Sequence, residues 1–300
     1  MAEVRCDCCG SGEWRELFSE NGIRLGRCPR CELLSVAELP SRDSRMTELE
    51  EGHFAAARQV LDAGKQLEAE RVLAARFRGY VELARTFAPT GDWLDIGCGA
   101  GLLLTLARES GYHGAGIELN ADRRAAAAEV TGLPMHDRPV EDVRFADGSF
   151  DVISLINVFS HLTSPAATFA ELRRILKPEG VLIVATGEIT AGVRKSHLPD
   201  WNLGDHLYFL GDHTMEQYAA RAGFDIAHHE RSWFPELLYS RESLESKGRS
   251  GVRNAVKTAI LKTPGAFATF RSVMLRRAAG SAAHAGVFAL RPTLDAGGTR

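Results

Sequence analysis

Trp93-Leu94-Asp95-Ile96-Gly97-Cys98-Gly99-Ala100-Gly101 reads as a short apolar strand, a glycine-rich turn and the start of a helix. Glycine has no Cβ, so glycines at 97, 99 and 101 let the chain turn sharply and bring its backbone close to a ligand. Upstream, Met46 to Phe87 is rich in Ala, Glu, Arg and Leu. Its apolar residues, from Leu67 through Phe77 to Val81 and Phe87, recur at helical spacing until Pro89-Thr90-Gly91. Downstream the pattern predicts a helix over Leu102 to Glu109, a strand over Ala115 to Glu118 and a helix over Ala121 to Val130. A weak strand follows at Leu133 to His136, then Phe150 to Val158, an apolar run typical of a strand buried on both faces.

Ser164-Pro165, a cap followed by proline, opens a helix that runs to Leu176. Lys177-Pro178-Glu179-Gly180 separates it from a strand over Val181 to Ala185. Met215 to Ala222 reads as a helix and Phe224 to Trp233 as a strand. Val252 to Ala278 reads as two amphipathic helices broken at Thr263-Pro264-Gly265, and Val287 to Leu290 as a last, antiparallel edge strand. This rhythm predicts a doubly wound, Rossmann-like α/β fold with a mostly parallel seven-stranded sheet. Ligands of such sheets bind at the carboxyl ends of the strands, where the glycine turn lies.

The charges around the turn narrow the ligand. A pyrophosphate prefers a helix N-terminus with no nearby anion, and Asp95 would repel it. The spacing is G-x-G-x-G, not the G-x-G-x-x-G of dinucleotide sites. S-adenosylmethionine has no phosphate, and its ammonium suits a carboxylate. Nineteen residues after Gly99, Glu118 ends the second strand, where a carboxylate can accept hydrogen bonds from ribose hydroxyls.

Four blocks, WLDIGCGAG, AGIELN, FADGSFDVISLINVFSHL and LRRILKPEGVLIVAT, resemble those of the class I S-adenosylmethionine-dependent methyltransferases in order and spacing. With its flanking elements the resemblance spans about residues 70 to 291. It implies that Asp95, Gly97, Cys98, Gly99 and Gly101 form the loop that holds the methionine side of the cofactor. It also implies that Glu118 takes the ribose, that Leu119 packs on adenine and that Asn157 lies beside the cofactor. Many relatives place an acidic residue before strand four to read the adenine amino group. Here that stretch is Pro139-Val140-Glu141-Asp142, which makes Glu141 the candidate, with backbone as the alternative.

Five of the six cysteines lie in the first 31 residues. Cys6-x-x-Cys9 and Cys28-x-x-Cys31 have zinc-ribbon spacing, so the expected metal is a structural Zn2+ on four thiolates, with Cys8 a competing ligand. Similar ribbons occur in relatives that modify sugars and natural products and, with different spacing, in ribosomal RNA methyltransferases. The expected organisation is a ribbon-like segment over 1–38 and a linker (Pro40 to Arg45) with a helical cap over 39–87. A methyltransferase domain over 88–300 follows, with a helical insertion at 240–280 that builds a lid.

The 300-residue chain is 45% hydrophobic and 25% charged, as globular proteins are. No apolar run reaches the ~18 residues of a membrane span, and the start lacks a signal-peptide layout, so a cytoplasmic protein is expected. The net charge of −3 divides into +8 from Arg241 onward (11 basic, 3 acidic) and −11 before it (25 basic, 36 acidic). An acidic body argues against nucleic acid as a partner. The basic tail permits a homodimer.

Methyl transfer to a hydroxyl needs a proton acceptor, and His161 and His206 both fall at the carboxyl edge of the sheet. His161 sits where many relatives have Glu-His-Leu, and His206-Leu207-Tyr208-Phe209 resembles the H-x-x-F segment of small-molecule methylating relatives. His161 reads equally well as a packing residue. Trp201, Asn202, Asp205 and Tyr208 surround His206 with pocket-forming types. His228, His229, Glu50 and Glu51 read as surface. The expected function is O-methylation of a small molecule, a natural-product intermediate or a sugar, with a histidine base. The alternatives are RNA methylation guided by the ribbon, through Arg5, Arg15, Arg24, Arg27 and Arg30, and a cofactor-binding scaffold without catalysis.

Overall fold

The computed structural model describes residues 5–20, 22–51, 63–189, 203, 206–232, 258–263, 265–278 and 283–293. Strands β1 (Arg15–Glu20), β2 (Ile23–Arg27) and β3 (Leu34–Val36) come first, followed by helices α1 (Arg42–Glu51) and α2 (Ala63–Arg85). The alternating unit then begins with β4 (Gly91–Ile96), α3 (Leu102–Glu109), β5 (Tyr112–Ile117), α4 (Ala121–Thr131) and β6 (Met135–His136). It continues through α5 (Val140–Val143), β7 (Phe150–Ile156), a 3-10 turn (Phe159–His161), α6 (Pro165–Ile175) and β8 (Leu176–Ile189). The last elements are β9 (Tyr208–Phe209), α7 (Thr214–Ala222), β10 (Phe224–Ser232), α8 (Ala266–Ala278) and β11 (Ala283–Pro292).

Among the described residues the main sheet has seven strands in the order β10-β11-β8-β7-β4-β5-β6. The five strands from β8 to β6 are parallel, as the βαβ rhythm predicts, and β11 runs antiparallel to both of its neighbours. The helix starts follow their caps: Asn120 accepts from the Arg123 N–H, and Ser164 from the Ala167 N–H with Pro165 behind it. β7 buries Val152, Ile153 and Leu155 completely, and β8 buries Val181 through Val184. These two strands therefore have helices or loops on both faces.

Three expectations are corrected. β11 is not an edge strand; it lies between β8 and β10, and Ala285 through Leu290 are all buried. Pro40 to Arg45 is not a linker, because α1 already begins at Arg42, with the Ser41 hydroxyl accepting from the Ser44 N–H. His229 is not a plain surface residue, since its ring stacks on Phe288 and it meets the buried Glu188 carboxylate at 3.3 Å. Helix is present over 258–262 and in α8, while residues 240–257 of the expected insertion lie outside the described residues.

The cysteine segment shares structure with the larger sheet's surroundings. β1, β2 and β3 form a second, antiparallel sheet that is completed by β9, from the stretch after β8. Leu25 and Leu34 of this sheet, with Leu33 just before β3, bury in one core with Phe159, Phe169 and Tyr218. The Asp7 carboxylate accepts from the Ser164 hydroxyl (2.7 Å), the Ala166 N–H (2.8 Å) and the Tyr218 hydroxyl (2.8 Å). The first cysteine knuckle thus caps α6 from outside.

Candidate active site

The glycine turn leaves β4 at Gly97, whose φ of +68° is left-handed and whose absent Cβ would lie 2.4 Å from Val158 Cγ2. Gly101 packs differently: a Cβ there would press on Thr131 and Ala127 of α4, so this glycine seats α3 against α4. Asp95 is buried, and its Oδ1 accepts from the Ser154 hydroxyl at 2.6 Å, which in turn accepts from Trp93 Nε1 at 2.7 Å. Burial pushes the Asp95 carboxyl up to about 7; the Ser154 hydrogen bond lowers it and the charge of Glu118 adds to the rise. Cys98 is also buried, beside Met135, and its thiol is raised first by burial and then by Asp95 and Glu118.

Glu118 follows β5, and its two oxygens accept from two backbone groups: Oε2 from the Gly99 N–H and Oε1 from the Asn120 N–H, each at 2.9 Å. Each carboxylate oxygen has a second lone pair, so the residue that braces the glycine turn can still accept from a ligand.

A cavity of about 500 Å³ opens at this end of the sheet. Ile96, Gly97, Ile117, Glu118, Leu119 and Asn120 form one wall; Val140, Glu141, Ile156, Asn157 and Val158 form another. Met46 and Leu49 of α1 complete it, a contribution that the polar sequence of this helix concealed. α1 is held over the cavity by an ion pair from Arg42 to Asp142 (2.6 Å) and by Asn120 Nδ2 donating to the Glu50 carbonyl (3.1 Å). Of the expected cofactor residues, Gly97, Glu118, Leu119, Glu141 and Asn157 line this cavity. Asp95, Cys98, Gly99 and Gly101 are not among its lining residues. Glu141 also accepts from the Thr168 hydroxyl at 2.5 Å.

A second cavity of about 260 Å³ is lined by Asn157, Ser160, His161, Thr186, Gly187, His206 and Phe209. The two cavities share Asn157 and His161. Asn157 follows β7 with a left-handed φ of +58°, which asparagine tolerates better than most residues. The His161 and His206 rings lie 4.8 Å apart between centroids, so two histidines 45 positions apart in sequence form one pair. Trp201, Asn202 and Asp205 lie outside the described residues, as do His53 and His197.

The Sγ atoms of Cys6, Cys9, Cys28 and Cys31 lie within 4.8 Å of one another. Tetrahedral coordination with Zn–S bonds of about 2.3 Å sets sulfurs about 3.8 Å apart, so the donor set fits such an ion. Cys8 is not one of this quartet, and its sulfur lies 3.9 Å from the Thr214 carbonyl. Contact with Cys31 and then burial raise the Cys6 thiol. On the N-terminal sheet, Arg24 pairs with Glu16 and Glu38, and Arg27 reaches the Ile189 carbonyl at 3.4 Å.

A doubly wound sheet with a glycine turn after one strand and an acidic residue after the next is an arrangement found at nucleoside-cofactor sites. The chain belongs to the methyltransferase-domain family: a family model described as "Methyltransferase domain" matches residues 66–229, more than half of the chain. The chain is 34% identical over 105 residues to a 2-methyl-6-phytyl-1,4-hydroquinone methyltransferase of Synechocystis, covering 33% of this chain and 33% of that protein. It is 31% identical over 99 residues to a ubiquinone biosynthesis O-methyltransferase of Methylococcus capsulatus, covering 31% and 42%. The matches therefore span only about a third to two fifths of these relatives' lengths. A solved geranyl diphosphate methyltransferase in complex with SAM shares the fold, with a TM-score of 0.56 at 14% identity over 86% of this chain and 97% of that one.

Proposed function

We propose that this chain is an S-adenosylmethionine-dependent methyltransferase that acts on an oxygen of a small molecule, with His206 or His161 as general base. The observation that carries the reading is the meeting of the two cavities at Asn157 and His161. The larger cavity is in the size range of small-ligand sites. Its Glu118 carboxylate would take the ribose hydroxyls, with Leu119 against adenine and Glu141 near the adenine edge. When bound, the cofactor supplies a methyl group on a sulfonium, which departs as the new bond to the acceptor forms. The chain's own residues orient, enclose and deprotonate. Asn157 marks the transfer point, Phe209 and Thr186 wall the acceptor, and a histidine takes the hydroxyl proton.

The four-cysteine cluster would hold Zn2+ as a closed structural site, since all four positions are filled by thiolate. The helices over 258–278 would form part of the lid. RNA methylation is the weaker reading: Arg24 is engaged by two carboxylates, and the body is acidic. Among the described residues no helix is long and apolar enough to cross a membrane.

Release of S-adenosylhomocysteine across a panel of hydroxylated small molecules, with an unmodified RNA alongside, tests the reading. His161→Ala and His206→Ala are then assayed on the best acceptor. Full turnover by both variants eliminates the histidine base; turnover on RNA alone eliminates the small-molecule acceptor.

A further inference from the structure

We infer that Arg45 of α1 is a positioning residue that gives the two histidines different roles. It holds His161 neutral, with its proton on Nε2, as a hydrogen-bond donor in the acceptor cavity, and so leaves His206 to take the acceptor's proton. The division of roles rests on the reading proposed above; the state of His161 does not.

Arg45 Nη2 lies 3.2 Å from His161 Nδ1. A guanidinium has five N–H donors and no lone pair to offer, so Nδ1 must be the acceptor in this contact. A neutral imidazole carries one N–H, and with Nδ1 accepting, that hydrogen is on Nε2. Charging His161 would put a second N–H on Nδ1, facing the guanidinium, and would set cation beside cation. Arg45 is only 2% exposed, so water screens that repulsion poorly. Glu48 pairs with the other terminal nitrogen of Arg45 at 2.9 Å, which offsets part of the charge and leaves the donor–acceptor argument untouched.

Among the described residues, three other charged groups line the same cavity as His161. Glu118 and Glu141 share the larger cavity with it and their charge favours the imidazolium, but neither replaces the guanidinium that faces Nδ1, which can only donate. Arg123, in the same wall, adds positive charge. From the other side comes the His206 ring, stacked on Phe209 at 5.7 Å. His161 has no ring nitrogen available as a proton acceptor, so a hydroxyl in the smaller cavity loses its proton to His206. The O–H bond breaks toward a His206 nitrogen as the oxygen bonds to the methyl carbon, and the electron pair of the carbon–sulfur bond stays on sulfur. Because α1 also supplies Met46 and Leu49 to the larger cavity, the helix that walls the cofactor site also sets the histidine pair.

Long-range 1H–15N correlation on the full chain labelled at histidine reads tautomer and charge directly, with no ligand added. His161→Gln and His206→Gln assign the signals. The expected spectrum has His161 protonated on Nε2 only, and still mostly neutral at pH ~5.5, below the ordinary histidine midpoint of ~6.5. Arg45→Met should let His161 titrate near that ordinary midpoint. Arg45→Lys, whose ammonium can only donate, should restore the wild-type tautomer. A proton on Nδ1 in the wild type overturns the inference, as does an unchanged midpoint in Arg45→Met. If Arg45→Met does not fold, the wild-type spectrum and Arg45→Lys decide. Wild-type turnover by His206→Ala with the expected His161 spectrum overturns the base assignment and leaves the Arg45 contact standing.

Discussion

Glu118→Gln changes one atom and should cost far more than its size suggests. In the folded chain the Glu118 oxygens accept from the Gly99 and Asn120 N–H groups, both at 2.9 Å. A glutamine has one acceptor oxygen and one NH2. Whichever way the amide turns, one of those two backbone donors faces another donor. Hydrogen bonds to a charged group contribute about 1.5–3 kcal/mol each, and an orphaned buried donor costs about 1–3 kcal/mol. The same substitution weakens both contacts expected with the ribose hydroxyls. Losing the equivalent of two such bonds gives about 3–6 kcal/mol in cofactor affinity, a weakening on the order of a hundred-fold to ten-thousand-fold. The assay is calorimetric titration of S-adenosylhomocysteine into wild type and variant, after circular dichroism has confirmed folding. An affinity within about threefold of wild type would refute the assignment of Glu118 to the ribose.

Asp95 titrates near 7 in the folded chain because of its burial, against 3.8 in an ordinary setting, so the folded state holds this proton more tightly than the unfolded state. Its contribution to stability is therefore present at acid pH and lost as pH rises from about 4 through 7, by up to about 4 kcal/mol from 1.36 kcal/mol per unit. Urea unfolding from pH 5 to pH 8 should show this slope flattened in Asp95→Asn, and equal slopes would contradict it. Asp7→Ala removes the acceptor of three hydrogen bonds and strands the buried Tyr218 hydroxyl, which predicts about 3–5 kcal/mol of destabilisation. A loss below about 1 kcal/mol would mean that the knuckle does not brace α6. Elemental analysis should find one zinc per chain, lost in Cys28→Ser, and that variant should loosen β9 through β3, seen as faster amide exchange at Leu34 and Phe209. Full zinc occupancy with Cys28 replaced would remove that cysteine from the ligand set.

Much of the architecture was legible because its signals are local. Helix α3 lies where the sequence pattern predicts it, and Asn120 and Ser164 sit as caps, since caps and apolar periodicity act within one or two turns. α1 was harder: its composition is polar nearly throughout, and only Ser41 as a cap and Asp43 in the first turn marked it. The contacts it makes through Arg45, Met46 and Leu49 depend on which surface the helix covers. The interior place of β11 was not legible either, because antiparallel insertion between two strands is a long-range choice. The pairing of His161 with His206 goes with the Leu207 N–H donating to the Ser160 carbonyl, a contact between residues 47 positions apart that no local signal marks. The cysteine quartet was legible from spacing, while the role of Asp7 beside it was not, since its partners lie on α6 and α7.

The cavity beside Gly97 and Glu118 is proposed to take S-adenosylmethionine and not a dinucleotide. Isothermal titration of the full wild-type chain with S-adenosylmethionine, and separately with NAD, tests it most directly. The account predicts one molecule of S-adenosylmethionine per chain, with a dissociation constant between about 1 μM and 1 mM, and no measurable NAD binding. Comparable affinity for NAD, or a folded chain that takes up no S-adenosylmethionine, would contradict it.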